Sequence, residues 1–233
     1  MLSRLFAALA LVFGLLAGPV PAATPEDSWQ LEMKRAMKAH QAGDFVEAVA
    51  RLEVALPIAE GFGRDDPRLG ETLLALGAVH YEGGDYERAR PPLEWALPVI
   101  EAADGPDSTK LASALNALAL VHGHQGRADD ARPLYDRALA IYEAAMGPEH
   151  PLVAQVLENL AGLGVMTGDY EGAAPLFERA LAIKERRYGA ESPDLIDTLQ
   201  TYALVLAYLG RAAEAEALDA RAAAIIERMD GTP

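Results

Sequence analysis

Five histidines, His40, His80, His122, His124 and His150, carry the side chains that titrate nearest neutrality, so they are the first candidates for acid–base work or metal ligation. His122 and His124 stand two residues apart, a spacing that turns them to different sides of a helix and suits no shared ion. His80 and His122 fall at equivalent places in the repeat described below, roughly 10 Å apart on a packed face at ordinary helix spacing. A metal there would need a carboxylate converging from a neighbouring unit; packing imidazoles with local hydrogen bonds need nothing further. The chain has no cysteine, which removes thiolate zinc sites, thiol nucleophiles and disulfides. It also has no glycine-rich phosphate loop, no Gly-x-Ser-x-Gly elbow and no His-Glu-x-x-His pair. Glu87, Glu94, Asp129, Asp130, Glu178 and Glu185 fall on outward helix positions, as solvated carboxylates do. We therefore expect no catalytic centre, no cofactor and no metal.

The elements that would position any site follow from composition and period. The chain has 233 residues, 20 Lys+Arg against 35 Asp+Glu, and 51% apolar residues. That apolar fraction is too high for a mainly disordered chain, and the length is ample for a buried core. A formal net charge of −15 opposes binding to nucleic acid and to anionic membrane surfaces.

Residues Met1 to Ala23 have the form of an export signal. Arg4 supplies the positive start, Leu5 to Ala17 is an apolar run, Gly18-Pro19 breaks it, and Val20-Pro21-Ala22 places small residues for cleavage after Ala22. The competing reading is a retained anchor, but thirteen residues at helical rise span about 20 Å, short of a hydrocarbon core. No later run is long enough to cross a bilayer, so the mature chain, periplasmic if the source is Gram-negative, is expected not to be membrane-embedded.

The rest is governed by one repeat. Gly43, Gly84, Gly126, Gly168 and Gly210 are spaced by 41, 42, 42 and 42 residues. Each is followed at the same offsets by Ala48, Ala89, Ala131, Ala173 and Ala215, then by Ala55, Ala96, Ala138, Ala180 and Ala222. Branched aliphatics come next (Ile58, Val99, Ile141, Ile183 and Ile225), and a small residue precedes each glycine at Ala36, Gly77, Ala119, Ala161 and Ala203. Within a unit, apolar residues such as Leu111, Leu115, Leu118 and Ala119 recur at helical steps, Gly126-Arg127 turns the chain, and a second helix runs to Gly147. Asp66-Pro67, Ser108-Thr109, His150-Pro151 and Ser192-Pro193 mark the helix starts, with His150 the weakest cap. The small residues let paired helices approach closely. Pro91, Pro133 and Pro175 predict either a kink or a late start of the second helix. One hairpin cannot bury its apolar face alone, so the units must stack.

Segments such as Leu115-Asn116-Ala117-Leu118-Ala119, Gly168-Asp169-Tyr170 through Ile183, and Gly147-Pro148-Glu149-His150-Pro151 resemble tetratricopeptide repeats of the 42-residue kinesin-light-chain type. The boundaries read as a signal at 1–22, a linker at 23–28, and repeats at 29–66, 67–108, 109–150, 151–192 and 193–230. The end units depart from the pattern. Arg35 stands where the middle units have Leu76, Leu118 and Leu160, and Asp219 where others have Leu93, Tyr135 and Phe177, as solubilising caps require. The resemblance implies an all-α, right-handed α-solenoid of five helix-turn-helix units whose first helices line a concave groove for protein or peptide segments.

Aligned on that family, the groove residues are Glu71, Tyr81, Glu82, Asn116, His124, Gln155, Glu158, Asn159, Met166, Gln200 and Tyr208, with Leu74, Ser113, Leu120, Val165, Asp197, Thr201 and Leu204 between them. Asn116 and Asn159 stand near the family's groove asparagines, which hydrogen-bond an extended backbone; the alternative is that both are merely solvated. No Lys or Arg falls among these positions in units two to five, which leaves no clamp for a terminal carboxylate. Glu71, Glu82, Glu158 and Asp197 then set the groove's sign, and the expected partner is a neutral-to-basic segment with apolar anchors. Trp95 takes the slot of Arg137, Arg179 and Arg221; it is either buried against a neighbouring loop or a second contact surface. A self-associating module is the alternative function, and a metal-binding or enzymatic accessory protein a more distant one.

Overall fold

A computed structural model describes residues 23–231. The export-signal reading of residues 1–22 lies outside them. Ten α-helices and one 3-10 turn follow in chain order among the described residues: α1 (Pro25–Gln41), α2 (Phe45–Phe62), α3 (Pro67–Glu82), α4 (Tyr86–Asp104), α5 (Thr109–His124), α6 (Ala128–Met146), α7 (Pro151–Thr167), α8 (Tyr170–Tyr188), the 3-10 turn Pro193–Leu195, α9 (Ile196–Tyr208) and α10 (Ala212–Asp230). Each helix packs on the next, most extensively within the five pairs. First helices also touch across units, α3 with α5 and α5 with α7, which makes them the inner wall of the stack.

Local chemistry sets the boundaries. Gly168 turns the chain between α7 and α8 at φ 79°, and Gly147 ends α6 at φ 88°; both are left-handed conformations that a Cβ disfavours. Asp66, Ser108 and Ser192 cap their helices through side-chain oxygens, and His150 does the same through Nδ1, which accepts from the Leu152 N–H at 3.2 Å. Asp44, Asp85 and Asp169, next to the turn glycines, cap the second helices of units one, two and four.

One expectation is corrected here, and one alternative is decided. Residues 23–28 are not a linker: α1 starts at Pro25, because the Thr24 hydroxyl accepts from Asp27 N–H at 3.1 Å while the Asp27 carboxylate accepts from Thr24 N–H at 3.0 Å. Of the two alternatives for the prolines, a kink or a late start, the late start is excluded. α4, α6 and α8 begin at Tyr86, Ala128 and Tyr170, upstream of Pro91, Pro133 and Pro175, and run through them.

The core has the small residues where the helices cross. Ala48, Ala89, Ala131 and Ala173 are fully buried, as are Ala55, Ala96, Ala138 and Ala180. At Gly77 the fit is closer still: a Cβ there would lie 2.4 Å from Cγ of Leu93. The ends close differently. Leu93, Tyr135 and Phe177 are buried under the following unit, whereas Asp219 on α10 faces solvent. At the other end Trp29 is buried and donates from Nε1 to Thr72 Oγ1 at 2.9 Å, tying α1 to α3.

The outer wall carries a ladder. Arg137 meets Glu101 at 2.7 Å, Arg179 meets Glu143 at 2.6 Å and Arg221 meets Glu185 at 2.6 Å, each reaching back to the preceding second helix. Trp95 occupies the same slot on α4, and the residue matching the glutamates on α2 is Glu60, which is exposed. Trp95 is 43% exposed, so the expectation of burial is overturned: it stands at the outward slot that arginines hold in the later units, and an indole cannot pair with Glu60 as they pair with their glutamates.

Candidate functional site

The inner wall is built from α1, α3, α5, α7 and α9. Because a helix places every third or fourth residue on one face, each contributes the same register to it. One row across the wall reads Met37, Ala78, Leu120, Gly162 and Leu204; its neighbour reads Met33, Leu74, Asn116, Glu158 and Gln200. The first two units are therefore apolar in these rows, while the polar side chains begin at Asn116.

Side chains on adjacent helices are joined across this wall. Asn159 Nδ2 donates to Asn116 Oδ1 at 3.0 Å. The pair orients each amide and leaves further donors and acceptors of both available. The Tyr81 hydroxyl lies 3.0 Å from His124 Nε2, and the His124 ring stacks on Tyr86 at 4.6 Å. Burial raises the Tyr81 pKa, with Tyr86 and Glu82 adding to it, so the phenol stays protonated at neutral pH. His40 Nε2 lies 2.7 Å from a Glu82 oxygen. At the far end Tyr208, 63% exposed, stacks on Tyr170 at 4.4 Å.

Glu158 departs from the sequence reading. Lys184, on α8, reaches into the inner wall and donates to Glu158 Oε1 at 2.8 Å and to Thr198 Oγ1 at 2.8 Å; Thr198 also donates to Glu158. Glu158 is thus a neutralised, half-buried anion and does not set the sign of the groove. The expectation that no cation reaches this surface in units two to five is corrected with it. It considered only first helices, and Lys184 arrives from a second one. Glu82 is likewise engaged, by His40.

Openings break the wall among the described residues. One of about 280 Å³ brings His124, Glu158, Asn159 and Met166 together with Gly162 and Thr201. A second of about 300 Å³ joins Gln155 and Glu158 to Lys184 and Tyr188. A third, also about 300 Å³, lies between α1 and α3 and contains Glu71 and Leu74 with Met33, Met37 and His40. Of the residues named from the sequence, Tyr81, Glu82, Asn116, Gln200 and Tyr208 lie outside these openings, the last two exposed on α9, and Trp95 is on the outer wall. Met33, Met37 and Lys184 were missed. The two methionines belong to the unit whose leucine pattern is absent, which hid their register.

The histidines form no cluster. His122 is buried, its Nδ1 has no hydrogen-bond partner, and burial together with Arg127 lowers its pKa. Half-buried His80 is lowered for the first of those reasons. Among the described residues no three His, Asp or Glu side chains converge as metal ligands would, and no helix is long and apolar enough to cross a membrane.

Comparison with known proteins bears on the fold. The tetratricopeptide repeat family model matches residues 30–102, 110–186 and 165–228. Among solved structures, BtubC (BKLC) from P. vanneervenii is similar at 26% identity and a TM-score of 0.79, over 90% of this chain and 85% of that one. A putative kinesin light chain from Podosopora anserina, with nearly identical TPR-like repeats, superposes at 0.75 with 21% identity, covering 91% of this chain and 100% of that one. A fragment of MamA from Desulfovibrio magneticus RS-1 superposes at 0.65 with 16% identity, over 91% and 100% of the two chains. No curated protein matches the chain.

Proposed function

Since the chain belongs to the tetratricopeptide repeat family, we propose that it is an exported, non-catalytic scaffold that holds a protein or peptide segment in its concave groove. The observation that carries this reading is the Asn116–Asn159 pair. Two amides on successive first helices are fixed by one mutual hydrogen bond, half-buried beside an open cavity, with capacity left for a peptide backbone. The partner is neutral to basic with apolar anchors. The groove carboxylates without an ion pair among the described residues, Glu71 and Asp197, are both exposed, and the chain is anionic as a whole. Nucleic acid does not fit that charge.

Affinity capture from an envelope extract tests it, with residues 23–233 as bait beside the Asn116→Ala/Asn159→Ala bait. A protein enriched by the first and lost from the second supports the groove; equal enrichment by both removes it as the working site. Fractionation of the tagged full-length chain, with intact mass, tests export: a chain starting at Ala23 outside the cytoplasm is expected, and a cytoplasmic chain starting at Met1 refutes it. The alternative of self-assembly by end-to-end stacking is opposed at Asp219, a charge on α10 where Leu93, Tyr135 and Phe177 are buried under the following unit, although Ile226 on the same face is apolar and exposed.

A further inference from the structure

We infer that the opening between α1 and α3 is the anchor pocket of the groove, and that it takes a bulky apolar side chain flanked by a lysine or arginine. This assignment rests on the groove reading above and specifies which end of the groove selects the partner. The pocket measures about 300 Å³, at the lower bound of ligand-sized cavities, and its walls are Met33, Met37, Leu74, Ala78 and Val79. Met37 is 61% exposed, far more than a core methionine, and its flexible thioether adapts to varied apolar shapes. An unpaired carboxylate stands at this apolar opening. Glu71 has no ion pair among the described residues, whereas His40, the other polar residue lining the pocket, is engaged by Glu82 at 2.7 Å. Lys34 and Lys38, the lysines of α1, do not line it. An apolar side chain alone would leave Glu71 unused; an adjacent cation completes it. The neighbouring wall then changes character at Asn116, so the rest of the segment runs over the Asn116–Asn159 pair through its backbone.

Selection from a random peptide library displayed on phage tests this, using residues 23–233 as target beside Glu71→Lys, Ala78→Trp, Leu74→Gln and Asn116→Ala/Asn159→Ala, each checked for native helicity. Wild type is expected to enrich peptides pairing Leu, Met or an aromatic with a neighbouring Lys or Arg. Glu71→Lys is expected to weaken the best of them about fivefold or more and to shift its own selection to acidic flanks. Ala78→Trp, which fills the pocket, is expected to cost more than about tenfold, and Leu74→Gln covers the case in which the tryptophan variant does not fold. Enriched peptides that depend on the asparagines but are indifferent to Glu71, Leu74 and Ala78 would overturn the anchor and leave the groove reading standing. No enrichment over the variants would overturn both.

Discussion

Lys184 and Glu158 meet at 2.8 Å although one lies on the second helix and the other on the first helix of the same unit, and both also bond the Thr198 hydroxyl of the next unit. This three-way junction fastens the fourth and fifth units at the inner wall. Lys184→Met is expected to cost about 1–3 kcal/mol, because it leaves a half-buried carboxylate without its cation. Adding Glu158→Gln to that variant should recover part of the loss. Urea denaturation of the two variants checks it, and an unchanged midpoint in Lys184→Met would refute the junction.

Two glycines inside first helices predict opposite outcomes for the same substitution. Glycine in a helix interior costs about 1 kcal/mol relative to alanine. At Gly162 no atom lies within 4 Å of an added Cβ, so Gly162→Ala should stabilise by up to about 1 kcal/mol. At Gly77 the Cβ would meet Leu93 Cγ at 2.4 Å, and overpacking of about 1–3 kcal/mol should outweigh the helical gain. Thermal melts of the pair give the sign of each. A similar overpacking loss is expected for Ala138→Phe, whose alanine is fully buried.

Trp95 is exposed on the outer wall, so Trp95→Arg should change stability by no more than about 0.5 kcal/mol. A buried tryptophan would cost several times that. Arg179→Ala, which removes a rung from the ladder at half-buried but solvent-accessible positions, should cost about 1 kcal/mol or less and lose part of its effect in high salt. Parallel melts at low and high ionic strength separate the two behaviours.

His122 should make the array acid-sensitive. Its folded-state pKa is lowered by burial and by Arg127, so the folded form binds its proton less readily than the unfolded chain does. The stabilising effect of keeping it neutral is present above the unfolded histidine value of about 6.5 and is lost as pH falls through the depressed folded value. His122→Leu removes that titration, and also the unpartnered Nδ1. The variant should lose less Tm than wild type between neutral pH and pH about 5; parallel slopes would show that other groups carry the acid response.

Much of this molecule is legible in its residues. The glycine period, the alanines at the crossings and the Asp-Pro and Ser-Pro starts identify five helix pairs, because turns, caps and helical faces are decided within a few residues of chain. Thr24 was a capping signal of the same local kind, and overlooking it put the first boundary four residues late.

Other properties had no local signal. Whether Glu158 is a free anion depends on Lys184, a full helix away, and whether Trp95 is covered depends on how the preceding unit is set against α4. The mutual bond of Asn116 and Asn159, and the pocket that Met33 and Met37 form with Leu74, likewise join residues one repeat apart. The sequence by itself thus determined the units and their order, since a unit's own period decides which side chains face inward. Only the tertiary structure decided which charges are cancelled and which apolar residues remain open, since that depends on how far each unit is rotated and shifted against the next.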